Sequence, residues 1–220
     1  MAYQQVSTAQ QESILVTNKV IRNTYVLLSA TLVFSAITAG IAMVLRTPPM
    51  NIFILLIGMY GLMFLTHKLS NSPWGLLSVF AFTGFLGFTL GPILNMYLST
   101  ANGAENVVLA LGLTGMVFFG LSGYALTTRK DFNFLTGFLA AGMIVLIAAV
   151  VISLFFNIPA LSLAISAGFV LFASAMILFE TSRIIHGGQT NYILATISLY
   201  VAIYNLFLSL LHLLSAFNRD

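Results

Sequence analysis

The stretch Phe134-Leu135-Thr136-Gly137-Phe138-Leu139-Ala140-Ala141-Gly142-Met143-Ile144-Val145-Leu146-Ile147-Ala148-Ala149-Val150-Val151-Ile152-Ser153-Leu154-Phe155-Phe156 carries no charged side chain. An α-helix rises about 1.5 Å per residue, so the run is long enough to cross a hydrocarbon core about 30 Å thick. It lacks the strict apolar–polar alternation of a membrane β-strand. Inside lipid every backbone amide must be paired within the segment, so the run reads as a transmembrane helix.

Segments of the same character lie on both sides of it, at residues 24–45, 51–66, 74–98, 106–127, 160–179 and 192–215. Short, breaker-rich connections separate them. Arg46-Thr47-Pro48-Pro49 ends the first and Ser70-Asn71-Ser72-Pro73 precedes the third. Ala101-Asn102-Gly103-Ala104, Asn157-Ile158-Pro159 and His186-Gly187-Gly188-Gln189 mark later turns. The composition agrees: 60% of residues are hydrophobic and 6% charged, against about 25% charged in a soluble domain. So few charges cannot hydrate an exterior, so the exterior faces lipid. The expectation is an all-α, polytopic integral membrane protein of seven transmembrane helices. Residues 1–23 form a polar N-terminal tail, and residues 24–220 form the membrane domain.

The basic residues give an orientation through the positive-inside rule. With the N-terminus in the cytoplasm, the inner segments hold Lys19, Arg22, Lys68, Arg129, Lys130 and Arg183, and the outer ones only Arg46 and Arg219. The expectation is a cytoplasmic N-terminus and a periplasmic C-terminus. A net charge of +3 is too small and dispersed to suggest nucleic acid, and without cysteine there is neither disulfide nor thiolate metal site.

Ionisable groups inside a membrane are costly and draw attention as functional sites. Glu180 qualifies, with Arg183 one turn away and able to pair with it. Two readings stay open: a neutralised interfacial pair, or an ion or proton gate. Asn205 lies within the last helix and needs a hydrogen-bond partner, with interhelical packing or a cavity lining as its roles. Asn95, Asn157, Tyr60, Tyr200 and Tyr204 are further polar groups in or near spans. Gly84, Gly87 and Gly91 share a helix face, as do pairs among Gly112, Gly115, Gly120 and Gly123, and small residues let membrane helices approach closely. Pro92 removes an amide and frees the carbonyl of Phe88, so a kink is expected. Gly120-Leu121-Ser122-Gly123 has the form of the nucleophile motif of rhomboid-type proteases. Its candidate bases His67, His186 and His212 fall near helix ends, so no catalytic residue and no metal site is assigned.

Gly75-Leu76-Leu77-Ser78, and further on Gly87-Phe88-Thr89-Leu90-Gly91-Pro92-Ile93-Leu94, resembles the signature of the Bax inhibitor family of membrane proteins. Ala110-Leu111-Gly112-Leu113-Thr114-Gly115-Met116-Val117-Phe118 resembles its continuation, with Gly115 in place of the usual alanine and Asn106 in place of an aliphatic residue. The likeness to a bacterial branch of that family is carried by Gly58-Met59-Tyr60-Gly61-Leu62-Met63-Phe64-Leu65-Thr66, Leu126-Thr127-Thr128-Arg129-Lys130-Asp131 and Ile184-Ile185-His186-Gly187-Gly188, among others. The resemblance implies a seven-helix inner-membrane protein with a central helix ringed by others and no enzymatic activity or cofactor. It also implies a partner, the membrane-anchored, ATP-dependent protease FtsH, which such proteins modulate and which grips them by the N-terminal tail as slow substrates. Other branches resemble pH-sensitive calcium leak channels with an acidic pair on the last two helices. The first position of that pair falls on Glu180. The second falls on Ala202, which neither ionises nor binds a calcium ion, and this weakens the leak reading.

Overall fold

A computed structural model of the 220-residue chain describes residues 2–156 and 158–218, with side chains described from Thr17 onward. The described residues form seven α-helices, each long and apolar enough to cross a membrane: α1 (Ala2–Val44), α2 (Ile52–Leu69), α3 (Trp74–Leu98), α4 (Gly103–Thr128), α5 (Leu135–Phe155), α6 (Pro159–Ile185) and α7 (Tyr192–Phe217). Asn157, Arg219 and Asp220 lie outside the described residues.

Local chemistry sets the helix ends. Asn51 Oδ1 accepts from Phe53 N at the start of α2, and Asn191 Oδ1 accepts from Ile193 N and Leu194 N at the start of α7. Each satisfies backbone donors that the first helical turn leaves unpaired. Pro159 opens α6, where a missing amide costs nothing. After α1 the chain turns through Arg46 in a left-handed conformation (φ 48°), with Thr47 N donating to Ala42 O and Arg46 N to Met43 O. That is the Schellman closure, here on an arginine where glycine is usual. α3 continues through the buried Pro92 to Leu98.

Residues 2–23 of the polar segment enter the first span as part of one continuous helix, and packing begins before residue 24. Val20 is buried in the same core as Leu27 and Leu28. α6 runs six residues past the expected end at 179, because its polar turn Glu180–Arg183 finds partners within the bundle instead of marking the chain's exit from it.

α7 is the central helix. It touches α1, α2, α3, α4 and α6, and α5 packs on α6 alone. Buried residues of α1, α3, α6 and α7, among them Leu28, Val79, Phe82, Ile177, Leu199 and Leu206, form one core. Lipid tails are as apolar as these side chains, so helix association rests on close packing and interhelical hydrogen bonds. α3 supplies the closest approach: a Cβ on Gly87 would collide with the Ser35 carbonyl of α1, and one on Gly91 would lie 2.9 Å from Met43 N. Asn95 Nδ2 donates to Met43 O across the same seam (3.1 Å).

The turns sort into two ends. At one, Asn191 Nδ2 donates to Ser70 O and Asn71 Oδ1, and a ring nitrogen of His186 contacts Arg129 O. Lys68, Arg129, Lys130 and Arg183 all lie at this basic end. At the other, Asn102 and Asn218 meet.

Candidate functional site

The last turn of α6 is the most polar buried region of the bundle. Glu180, Thr181, Ser182 and Ile184 are each 2% exposed or less. Glu180 Oε1 accepts from Arg183 Nη1 at 3.1 Å, while Glu180 Oε2 is buried with no hydrogen-bond partner among the described residues. Arg183 also donates through Nη2 to Gly188 O (3.3 Å), and its Cζ sits 5.5 Å from the centre of the Phe179 ring. The arginine is therefore held by a carboxylate, a turn carbonyl and an aromatic face at once. Arg183 is half-exposed, so the pair joins a dry carboxylate to a guanidinium that reaches water.

Neighbouring side chains tie the same turn to two other segments, α1 and the α4–α5 connection. Thr181 Oγ1 shares a hydrogen bond with Tyr25 OH of α1 (3.3 Å). Ser182 Oγ accepts from Phe132 N (3.0 Å) and donates to Lys130 O (3.3 Å), anchoring the α4–α5 connection. His186 Nδ1 lies 2.9 Å from Ser182 O and Nε2 lies 3.1 Å from Arg129 O. The Glu180 turn is thus a junction of α1, α6 and two basic-end loops.

Asn205 finds its hydrogen-bond partner within its own helix. Its Nδ2 donates to Val201 O of its own helix (2.8 Å), so it does not join helices through that bond, and no hydrogen bond links it to Glu180. Ala202, at the position of the second acid, is buried. Gly84, Gly87 and Gly91 face α1, and the nearest contact for a Cβ at Gly84 would be the Phe34 ring (2.6 Å). Gly112, Gly115, Gly120 and Gly123 have open space beside them within the chain, so the packing role expected of them has no partner helix here. The Ser122 hydroxyl is buried and has no hydrogen-bond partner among the described residues. His186 is engaged as above, and His212 contacts Ser166 and Ser162 (2.8 and 3.3 Å).

Two residues marked in the sequence, Tyr200 and Asn106, find partners that the sequence did not show. Tyr200 OH, deep in α7, donates to Thr83 O (3.2 Å) and pairs with Ser35 Oγ (2.6 Å), joining α7 to α3 and α1. Asn106, where the family signature has an aliphatic residue, is 1% exposed and its Oδ1 accepts from Asn218 Nδ2 (2.6 Å). Neither pairing is visible as local spacing, because the partners lie more than a hundred residues apart. The serines Ser162 and Ser166 do carry a local signal, since residues four apart share a helix face.

The backbones of α1 and α4 stay apart, although the Tyr25 and Phe118 rings meet across them at 6.0 Å between centroids, and a cavity of about 250 Å³ lies between α1, α3, α4 and α7. Its lining is mainly apolar, with Leu32, Leu94, Val107 and Phe207, plus the hydroxyl-bearing Ser35, Tyr200 and Tyr204. Glu180 is not part of that lining.

A family model described as inhibitor of apoptosis-promoting Bax1 matches residues 17–219, nearly the whole described bundle. The chain belongs to the Bax inhibitor family. Within that family it is 61% identical over 201 residues to an uncharacterized protein of Pseudomonas aeruginosa, covering 91% of this chain and 90% of the other. It is 57% identical over 214 residues, 97% of each chain, to the Escherichia coli K12 protein named Modulator of FtsH protease YccA. The same identity holds for an Escherichia coli O6:H1 protein named Inner membrane protein YccA. Seven apolar helices and a relative of that name support a multi-pass place in the inner membrane. The family and the names of its members indicate a regulatory membrane protein.

Proposed function

We propose that this Bax inhibitor family member restrains the membrane protease FtsH without catalysing a reaction, and is itself a slow FtsH substrate entered through its N-terminal segment. The likeness to a named FtsH modulator over 97% of both chains carries this reading. Physical chemistry supports it. An ATP-driven protease needs a polar segment to grip, and residues 1–23 with their glutamines are one. Extraction must then break helices whose backbone bonds lipid cannot replace, and separate α7 from the helices around it. A substrate that yields slowly occupies the protease. The orientation belongs to the same proposal: N-terminus in the cytoplasm with the basic end, C-terminus in the periplasm. The test is co-purification with FtsH, with and without the first 20 or so residues, while turnover of a membrane test substrate is followed. Tail deletion is expected to abolish the slowing. Undiminished slowing by the truncated chain would sink the proposal.

A second reading, a calcium or cation leak with Glu180 at its mouth, is favoured by the unpartnered Glu180 Oε2. Ala202 and the mainly apolar central cavity count against it. Calcium flux through purified protein in liposomes, altered by Glu180→Gln, would support it. Absence of flux would remove it.

A further inference from the structure

Beside the Glu180 junction, at the basic end, a chamber of about 370 Å³ opens between α2, the α6–α7 turn and the first turns of α7. Met63, His67, Arg183, Gln189 and Ser198 line it, so its wall is polar on one side. Met63 and His67 also belong to a stripe on α2, Tyr60-Met63-Phe64-His67-Lys68, spaced three and four apart and hence on one helix face. Along this stripe Tyr60, Met63 and Phe64 are exposed, and it ends at Lys68 and at His67, which also lines the chamber. A polar chamber therefore runs into a lipid-facing apolar track, with the change of character at the membrane's edge.

The charges match one class of occupant. Arg183 presents five N–H donors, and its bonds to Glu180 and Gly188 leave others directed elsewhere. Lys68, next to His67 on the α2 stripe, adds a second cation. Glu180 is the one acid paired with this arginine, and it is buried behind it. Basic pockets between helices at a membrane surface bind anionic headgroups, and the surrounding bilayer supplies both phosphate and acyl chain. We infer that the chamber formed by His67, Arg183, Gln189 and Ser198 holds the headgroup of an anionic phospholipid, with an acyl chain lying along Tyr60, Met63 and Phe64. A bound headgroup would brace α2 against the α6–α7 turn, two elements that the described hydrogen bonds join only through Asn191 and the Ser70–Asn71 turn.

The experiment is native mass spectrometry of the full-length protein in detergent. The probes are dioleoylphosphatidylglycerol, dioleoylphosphatidylcholine with the same chains, and inorganic phosphate. Wild type is expected to retain phosphatidylglycerol in preference to phosphatidylcholine, with inorganic phosphate a poor competitor. Lys68→Gln, an exposed change, is expected to weaken retention by about fivefold. Tyr60→Ser with Phe64→Ser should weaken phosphatidylglycerol without changing the response to phosphate. Equal retention of the two lipids, full competition by inorganic phosphate, or unchanged retention in Lys68→Gln would each overturn the inference.

Discussion

At the scale of single residues, identical chemistry has opposite consequences depending on what lies beside it. Gly91 and Gly112 are both helical glycines. A larger residue at Gly91 meets the backbone of α1, whereas Gly112 faces open space. Gly91→Val is therefore expected to cost about 1–3 kcal/mol through overpacking, and Gly112→Ala to be neutral or stabilising by up to about 1 kcal/mol. Thermal unfolding of the two variants in the same detergent checks this. The Glu180–Arg183 pair is asymmetric in a similar way. Removing Arg183 strands a carboxylate that is 2% exposed, for which about 3 kcal/mol is expected. Removing the charge of Glu180 leaves an arginine that can reach water. Arg183→Gln should thus destabilise more than Glu180→Gln, and Glu180→Gln should rescue part of the loss in the double variant. Equal single effects and simple additivity would contradict the burial argument.

At the scale of elements, the turns and the seams between helices are the sensitive places. Gly187 ends α6 at φ 74°, a left-handed conformation, while its neighbour Gly188 has no such constraint. Gly187→Ala is expected to cost about 1–2 kcal/mol although a methyl group has room, and Gly188→Ala to stay within about 0.5 kcal/mol. Tyr200 joins three helices through one hydroxyl. Tyr200→Phe leaves Ser35 Oγ without that partner in a dry site, so about 1–2 kcal/mol should be lost. Hydrogen exchange is expected to speed up along the facing parts of α1 and α3. The helices themselves were legible: the expected span at 74–98 matches α3, and the neighbouring ends agree within a few residues. The end of α6 was not, since Glu180-Thr181-Ser182-Arg183 looks like a polar exit until Tyr25, Lys130 and Phe132 are seen to satisfy it.

At the scale of the whole molecule, an odd number of spans puts the termini on opposite sides of the membrane. A periplasm-dependent reporter fused after Asp220 should be active, and the same reporter before Met1 inactive. The opposite pattern would reverse the basic end and with it the tail-first reading. The sequence alone determined that lipid is the solvent and that about seven helices cross it, because too few charges exist to hydrate the exterior and each apolar run has a bilayer's length. It also marked Glu180 and Arg183, because an acid inside a membrane is conspicuous in any order of helices. Only the tertiary structure decided which helix is central. All seven spans are apolar, and the most apolar of them, α5, lies at the edge while α7 occupies the middle. In water hydrophobicity sorts inside from outside; in lipid both sides are apolar, so the sorting passes to small residues and to hydroxyl and amide pairs such as Tyr200–Ser35 and Asn106–Asn218. Those pairs are contacts between distant parts of the chain, and they come into being when the helices meet.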